Sequence, residues 1–506
     1  MAASHKIISA LHANWWLSLF GLLISFAASV VLVRTMPKEL FAQYAAVLAM
    51  IGVATLIFEA GANSGLTRYL AEAGKSNARG TFYRRMQRRR WLAAAICAVA
   101  LVVFGPIYAA HTEYGILNAQ PWIFVAIAAI VAATLVRLLG HYGLLALFET
   151  RPALLLQQGF QIGRSAGLAL IALAGGGLAH LVAGLFALAI LEAFLVHRRF
   201  WRIVSSERAP ITGEFVNRAQ RYGLLTVVDK ACAMLGSGTV LMLVLAPQQS
   251  VVTMALLGLA VDLVGKLVSL TAMPMGNLVA PYLSETSDDA AAQALATSRV
   301  VKLSSLLYSF SIGFGVLVLP SFVATVYGAD YRAAATAALL LLIPTAFENW
   351  VRGSCTPALL RNGRGRELMR VNVVQAVVTI ATLLLVMRQS LPVAIIAVGV
   401  ARASTSALNL VLLRRIVPVQ TYLVPLQGVL VSAFAAALAF AAAKMLPLPE
   451  LPRAVGASAL FTALFYAGFR WVVLRDRDTL HLAHRITGHR ARLLTRLLPP
   501  APLLPT

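Results

Sequence analysis

Long apolar segments separated by short polar loops run through this chain from one end to the other. About fourteen segments of roughly 18–24 residues recur, and an α-helix needs about 20 apolar residues to cross the hydrocarbon core of a bilayer. The predicted spans are 15–33, 43–62, 91–110, 121–140, 153–174, 178–196, 221–245, 251–283, 303–325, 333–352, 371–388, 392–411, 424–444 and 454–473. This pattern predicts an all-α polytopic membrane protein.

The composition agrees with a membrane protein. Charged residues make up only 12% of the chain and hydrophobic residues 59%, whereas soluble domains carry about twice that charged fraction. A net charge of +24 would suggest nucleic acid in a soluble protein, but here the positive charge lies in the loops, so we expect no nucleic-acid partner. Cys97, Cys232 and Cys355 lie in or beside apolar spans without ligand spacing, so we predict no disulfide framework and no metal site.

Lysine and arginine alternate between the loops. The loop 63–90 contains eight of them and the loop 197–220 contains five, whereas 111–120 and 246–250 contain none. Basic loops stay on the cytoplasmic side of a membrane. The alternation therefore predicts that both termini face the cytoplasm and that the number of spans is even. Because the N-terminus lacks a cleavage pattern, we expect the first span to act as its own insertion signal.

The spacing of the spans predicts how the chain is organised. The predicted segments are an N-lobe of six spans at 1–196, a cytoplasmic linker at 197–220, a C-lobe of six spans at 221–415, an extra helix pair at 416–474 and a tail at 475–506. The tail is predicted to form a basic amphipathic helix on the anionic leaflet, and the segment 66–90 could do the same. No loop is long enough for a folded soluble domain, which argues against a membrane enzyme of sugar transfer.

Charged residues inside the spans are the candidates for function, because a charge at bilayer depth costs at least a few kcal/mol without a partner or a hydrated cavity. The candidates are Glu59, Arg137, Arg164, Asp229, Lys230, Asp262, Lys266, Glu348, Arg352 and Arg402. Asp262 and Lys266 are four residues apart and can neutralise one another on one helix face. Two interpretations stay open for the set: structural ion pairs with interfacial snorkelling, or the lining of a hydrated cavity between the lobes.

The chemistry of such a cavity would select its cargo. A guanidinium binds phosphate in a bidentate manner and an ammonium acts as a point charge, so basic residues there indicate an anionic cargo. Carboxylates in the same cavity can exchange a proton as their surroundings change, which indicates a coupling H⁺ or Na⁺. We expect no other cofactor.

Four motifs follow one another along the chain. They are Phe58-Glu59-Ala60-Gly61-Ala62 with Arg68-Tyr69 in the stretch 29–72, Met273-Pro274-Met275 through Pro281-Tyr282 in 273–285, Tyr327-Gly328-Ala329-Asp330-Tyr331, and Arg361-Asn362-Gly363-Arg364. In this order, and with fourteen spans, the chain resembles the polysaccharide biosynthesis flippases of the multidrug/oligosaccharidyl-lipid/polysaccharide exporter superfamily. The likeness covers nearly the whole chain.

The resemblance implies a V-shaped transporter of two six-helix lobes with two further helices. It implies alternating access that flips an undecaprenyl-pyrophosphate-linked oligosaccharide across the bacterial inner membrane for O-antigen, capsule or exopolysaccharide. Membrane lipids, a polysaccharide polymerase and a co-polymerase are the further implied partners. The basic lumen of the family would correspond here to Arg164, Lys230, Lys266 and Arg402, which we predict to bind substrate. Glu59, Asp229 and Asp262 are then predicted to respond to the coupling ion.

Three alternatives remain. A lipid II flippase shares the fourteen spans and the basic cavity. A multidrug exporter normally has twelve spans and an acid-lined cavity, which the lysine and arginine excess disfavours. A polysaccharide polymerase or ligase would rest on Asp288 and Asp289, with Glu285 nearby, which we interpret as a solvated loop. We therefore predict a transporter without enzyme activity.

Overall fold

Long apolar stretches satisfy their backbone hydrogen bonds inside a bilayer by forming helices, and helices dominate this structure. The computed structural model describes residues 2–470, except 60, 115, 116, 118, 119, 148, 285–289, 415, 418–420, 422, 446 and 448. Within these residues there are sixteen α-helices and no β-strand.

The helices are numbered here in chain order. The first nine are α1 Ala2–Thr35, α2 Lys38–Glu59, α3 Ala62–Lys75, α4 Arg79–Ala110, α5 Trp122–Ala146, α6 Thr150–Leu173, α7 Leu178–Val204, α8 Gly213–Leu235 and α9 Gly238–Leu245. The others are α10 Val251–Ser284, α11 Ala290–Phe322, α12 Arg332–Arg361, α13 Gly365–Val386, α14 Leu391–Leu413, α15 Leu423–Met445 and α16 Glu450–Gly468.

Every predicted span overlaps a helix, and the seventh is divided between two. The division falls where α8 ends and Ser237 begins α9, its hydroxyl accepting a hydrogen bond from the backbone N–H of Val240 at 3.3 Å. A serine at this position satisfies a backbone donor that the new helix leaves without a partner. Ten helical segments within the described residues are long and apolar enough to cross a bilayer.

The helices pack into two units, one ending at Leu259 and the other beginning at Ala260, so that the division falls within α10. The predicted linker 197–220 lies in the first unit, where α7 ends at Val204 and Thr212 caps the start of α8. The predicted lobe boundaries stay a prediction.

In the first unit, α5 packs against α4 and α7, and α1 packs against α6. The amphipathic helix α3 buries its apolar face, including Leu66 and Leu70, against α5 and α8. This part of the segment 66–90 is therefore covered by protein. At the start of α3, Gly61 adopts a left-handed φ of 66° where its backbone crosses that of Gly223, and a Cβ on either glycine would overlap the other residue. Only glycine permits both the conformation and the close approach.

In the second unit, α12 packs against α11 and α14, and α13 packs against α14. The helices α4–α7 of the first unit pair in the same way as α11–α14 of the second. In both sets, counted in the order of the predicted spans, the third helix packs against the fourth, the fourth against the sixth and the fifth against the sixth. The last two helices, α15 and α16, pack on α11, and Ser432 donates a hydrogen bond to the Ser309 carbonyl at 2.6 Å.

Candidate functional site

A carboxylate between two guanidiniums lies among α5, α6 and α7 of the first unit, and we call it the Glu192 cluster. Glu192 Oε1 accepts a hydrogen bond from Arg137 at 2.9 Å, and its Oε2 accepts one from Arg164 at 3.0 Å. The Glu192 side chain is 2% exposed, whereas those of Arg137 and Arg164 are 20% and 39% exposed. Because one carboxylate pairs with two guanidiniums, the cluster has an excess of one positive charge. Arg164 is the more exposed of the two arginines.

A second pair in the first unit joins the end of α2 to α8. Lys230 Nζ donates to Glu59 Oε1 at 3.1 Å, with the lysine side chain 37% exposed and the glutamate 8%. Arg90 of α4 fixes this end of α2 from inside the protein. It is 2% exposed and donates to the backbone carbonyls of Phe58 and Glu59 and to the Asn63 amide oxygen. A cation at a helix C-terminus also interacts favourably with the helix dipole.

The predicted pair on α10 forms in the second unit. Lys266 Nζ donates to Asp262 Oδ2 at 2.5 Å, and the two residues are four apart on one helix face. Lys266 is 8% exposed and Asp262 is 39% exposed, so the lysine is the buried member. Between them, Gly265 adjoins open space, because a Cβ there would meet no atom within 4 Å.

The second unit also contains a carboxylate between two guanidiniums, which we call the Glu348 cluster. Arg352 Nε donates to Glu348 Oε1 at 2.9 Å, and Arg402 of α14 pairs with Oε2. Gln375 of α13 accepts from Arg352 at 2.7 Å and donates to Glu348 at 3.2 Å. The side chains of Glu348, Arg352 and Arg402 are 3%, 13% and 6% exposed. This network is therefore nearly closed to its surroundings.

All four cations predicted to bind substrate thus pair with a carboxylate in the structure. Arg164 and Lys230 are partly exposed, whereas Lys266 and Arg402 are buried. Of the predicted ion-responsive residues, Glu59 and Asp262 are the partners of two of these cations. The side chain of Asp229, on α8, lies outside the described residues. The roles predicted for all seven stay predictions.

Glu192 and Arg90 were not among the residues predicted to be functional. Glu192 is an acidic residue within the predicted span 178–196. A carboxylate within an apolar run is the sequence signal that could have identified it. Arg90 closes an arginine-rich segment and was counted with the basic loop, although the structure buries it completely.

The part of the chain that the structure describes contains no group of three or more His, Cys, Asp or Glu side chains able to hold a metal ion. The three cysteines, all within the described residues, are buried and form no disulfide bond. The predicted solvated loop with Glu285, Asp288 and Asp289 and the predicted amphipathic tail from 475 onward lie outside the described residues.

Residues 13–287, just over half of the 506, match the family model described as polysaccharide biosynthesis protein. The chain belongs to this family. No curated protein sequence matches the chain.

Solved structures show which fold the family member adopts. The chain is similar to lipid II flippase MurJ in an inward closed conformation, with a TM-score of 0.70 at 12% identity over 90% of this chain and 99% of that one. It is similar to an inward-facing MATE transporter of the MOP superfamily (TM-score 0.58, 11% identity, 80% and 95% covered) and to a Vibrio cholerae MATE transporter (0.56, 11%, 82% and 98%). The predicted relation to polysaccharide biosynthesis proteins and the predicted all-α polytopic fold are confirmed. The number of spans and the side of the termini stay predictions.

Proposed function

We propose that this protein flips an undecaprenyl-pyrophosphate-linked oligosaccharide repeat unit across the bacterial inner membrane by alternating access, for surface polysaccharide biosynthesis. The observation that carries the proposal is the pairing of four cations of the predicted spans with carboxylates. A phosphate oxygen and a carboxylate oxygen are alternative partners for the same guanidinium or ammonium. Where such a pair is accessible, an anionic cargo can therefore displace a residue of the protein.

The pair of Lys230 and Glu59 supports a scheme for ion coupling. When a phosphate group of the cargo binds Lys230, the Glu59 carboxylate loses its ion-pair partner in a poorly hydrated position. A proton or Na⁺ then neutralises Glu59, because an unpaired buried carboxylate is unfavourable. Loss of that ion on the other side lets Glu59 take Lys230 back and release the phosphate. Asp262 and Lys266 permit the same exchange.

The accessible cations Arg164 and Lys230 would receive the phosphate first, and Lys266 and Arg402 supply further positive charge. In this scheme the cargo leaves chemically unchanged, so the protein acts as a transporter and performs no catalytic step. A polysaccharide polymerase with its co-polymerase would consume the flipped unit.

Export of surface polysaccharide tests the proposal. We expect Arg164→Ala and Lys266→Ala each to stop export while the protein remains in the membrane, because each removes a cation from a span. Arg85→Ala, an exposed arginine of α4, is the matched control and should leave export unchanged. Wild-type export in both span variants would refute the assignment of these cations.

A lipid II flippase is the second candidate, and one observation favours it. The MurJ structure covers 90% of this chain, whereas the two MATE structures cover 80% and 82% with lower TM-scores. Reconstituted protein offered both lipids separates the candidates: transport of undecaprenyl-pyrophosphate-linked oligosaccharide but not of lipid II supports the leading proposal. The multidrug exporter alternative predicts instead that cationic drugs are transported.

The proposed orientation has a separate test. With the three buried native cysteines replaced, His111→Cys should react with an impermeant thiol reagent from the periplasmic side, since its loop carries no lysine or arginine. Ser206→Cys, in the basic loop 197–220, should react only after the cytoplasmic side is opened. The reverse labelling would invert the proposed topology.

A further inference from the structure

A groove of about 490 Å³ lies between the beginning of α6 and the end of α7. Its wall is apolar and includes Leu155, Leu156 and Leu195, and its rim consists of the guanidinium-bearing residues Arg198, Arg199 and Arg202. Arg198 and Arg202 are four residues apart and so share one face of α7. The groove therefore combines an apolar trough with a cationic edge.

The positive charge of this edge is mostly uncompensated. Arg199 pairs with Glu149 at 3.5 Å, with both side chains well exposed. Arg198 lies over the Phe194 ring at 6.0 Å. Within the described residues, neither Arg198 nor Arg202 has a carboxylate partner. Three guanidiniums and one carboxylate leave the groove with two positive charges that an anion could neutralise.

The wall of the groove includes Leu155, on the side of α6 away from Arg164. Leu155 precedes Arg164 by nine residues, which places the two on opposite sides of α6 at 3.6 residues per turn. Leu155 is 49% exposed, and on α7 Leu191 and Phe194 are 48% and 55% exposed next to the arginine rim. Large apolar side chains exposed on spanning helices face acyl chains. A molecule in this groove would therefore come from the bilayer.

We propose that this groove binds an anionic phospholipid of the surrounding leaflet. One acyl chain would lie along Leu155, Leu156 and Leu195, and the phosphodiester would bind Arg198 and Arg202. Basic pockets between spanning helices on the side of the basic loops favour anionic headgroups. The aliphatic parts of the arginine side chains can lie along the same apolar wall. The proposal does not depend on the identity of the cargo.

Lipid binding to the purified, delipidated full-length protein tests this site, with phosphatidylglycerol and phosphatidylcholine of identical acyl chains as probes. We expect the wild-type protein to prefer phosphatidylglycerol by at least about tenfold. Arg198→Gln/Arg202→Gln should weaken phosphatidylglycerol binding about 30-fold, or roughly fivefold for each guanidinium removed, and should leave phosphatidylcholine binding unchanged.

The matched control is Arg85→Gln/Arg88→Gln, which removes the same charge from exposed positions of α4 and should change binding less than about threefold. Leu155→Trp, which fills the groove without changing its charge, should also weaken binding. Three outcomes would overturn the proposal: equal losses in both double variants, which would mean diffuse surface attraction; equal wild-type binding of both lipids; and displacement of phosphatidylglycerol by undecaprenyl diphosphate, which would make the groove a cargo site.

Discussion

The Glu192 cluster and the Glu348 cluster each consist of one carboxylate and two guanidiniums, and they differ in the exposure of their side chains. In each unit the fourth, fifth and sixth predicted spans contribute to one carboxylate held by two guanidiniums. The carboxylate belongs to α7 in the first unit and to α12 in the second. Arg164 is 39% exposed, whereas Arg402 is 6% exposed and Gln375 completes the network around Glu348.

This difference in exposure distinguishes a cluster that can bind cargo from one that stabilises helix packing. An ion pair that is closed on all sides exchanges its partner only if the helices around it open, because an unpaired buried charge costs several kcal/mol. A pair with an exposed guanidinium can accept an incoming phosphate without that cost. We therefore expect the Glu192 cluster to bind cargo and the Glu348 cluster first of all to hold α12, α13 and α14 together.

Removal of the two central carboxylates should give the largest contrast. Glu348→Gln removes the buried carboxylate that Arg352 and Arg402 both contact, and we expect a loss of about 3–5 kcal/mol in stability. Glu192→Gln leaves guanidiniums whose side chains are 20% and 39% exposed, so we expect a loss of only about 1–2 kcal/mol. Thermal unfolding of the purified variants measures both. Equal losses would mean that exposure does not distinguish the clusters.

Arginine substitutions should separate transport from stability. Arg164→Ala is expected to reduce transport by reconstituted protein at least about tenfold with little change in thermal stability, and Arg164→Lys to restore part of it, since an ammonium still binds phosphate as a point charge. Arg402→Ala should instead lower the yield of folded protein, because it removes a buried partner of Glu348. If Arg402→Ala folds normally and loses transport as Arg164→Ala does, both clusters bind cargo.

The sequence predicted what local periodicity determines. The helical spans followed from their apolar runs, and Lys266 with Asp262 followed from a spacing of four residues on one helix. The partner of Arg164 did not follow, because Glu192 lies on a different helix and only the rotation and packing of α6 and α7 bring them together. The pair of Lys230 and Glu59 spans 171 residues for the same reason. Tertiary pairing of this kind leaves no periodic trace in one sequence.

Neutralising Glu59 tests whether the ion pair of Glu59 and Lys230 couples cargo transport to an ion gradient. Glu59→Gln mimics the protonated residue and frees Lys230, so we expect tighter cargo binding, slower release and a transport rate that no longer changes with an imposed proton or Na⁺ gradient. Transport in proteoliposomes with and without each gradient measures the effect. Arg85→Gln, on the surface of α4, is the charge-neutralising control and should keep the gradient response of the wild type. A Glu59→Gln protein that still follows the gradient would assign coupling to another residue.

The smallest effect should come from an ion pair on the exposed surface of the first unit. Glu72 pairs with Arg218, and their side chains are 49% and 57% exposed. Arg218 also lies over the rings of Tyr69 and Phe215, contacts that Glu72→Gln leaves intact. We expect Glu72→Gln to change stability by about 0.5 kcal/mol or less, because water and salt screen exposed pairs. The same thermal unfolding measurement then gives a scale from exposed to closed pairs: Glu72 at the bottom, Glu192 between and Glu348 at the top. A Glu72→Gln loss as large as that of Glu192→Gln would remove the link between exposure and function on which the comparison of the two clusters rests.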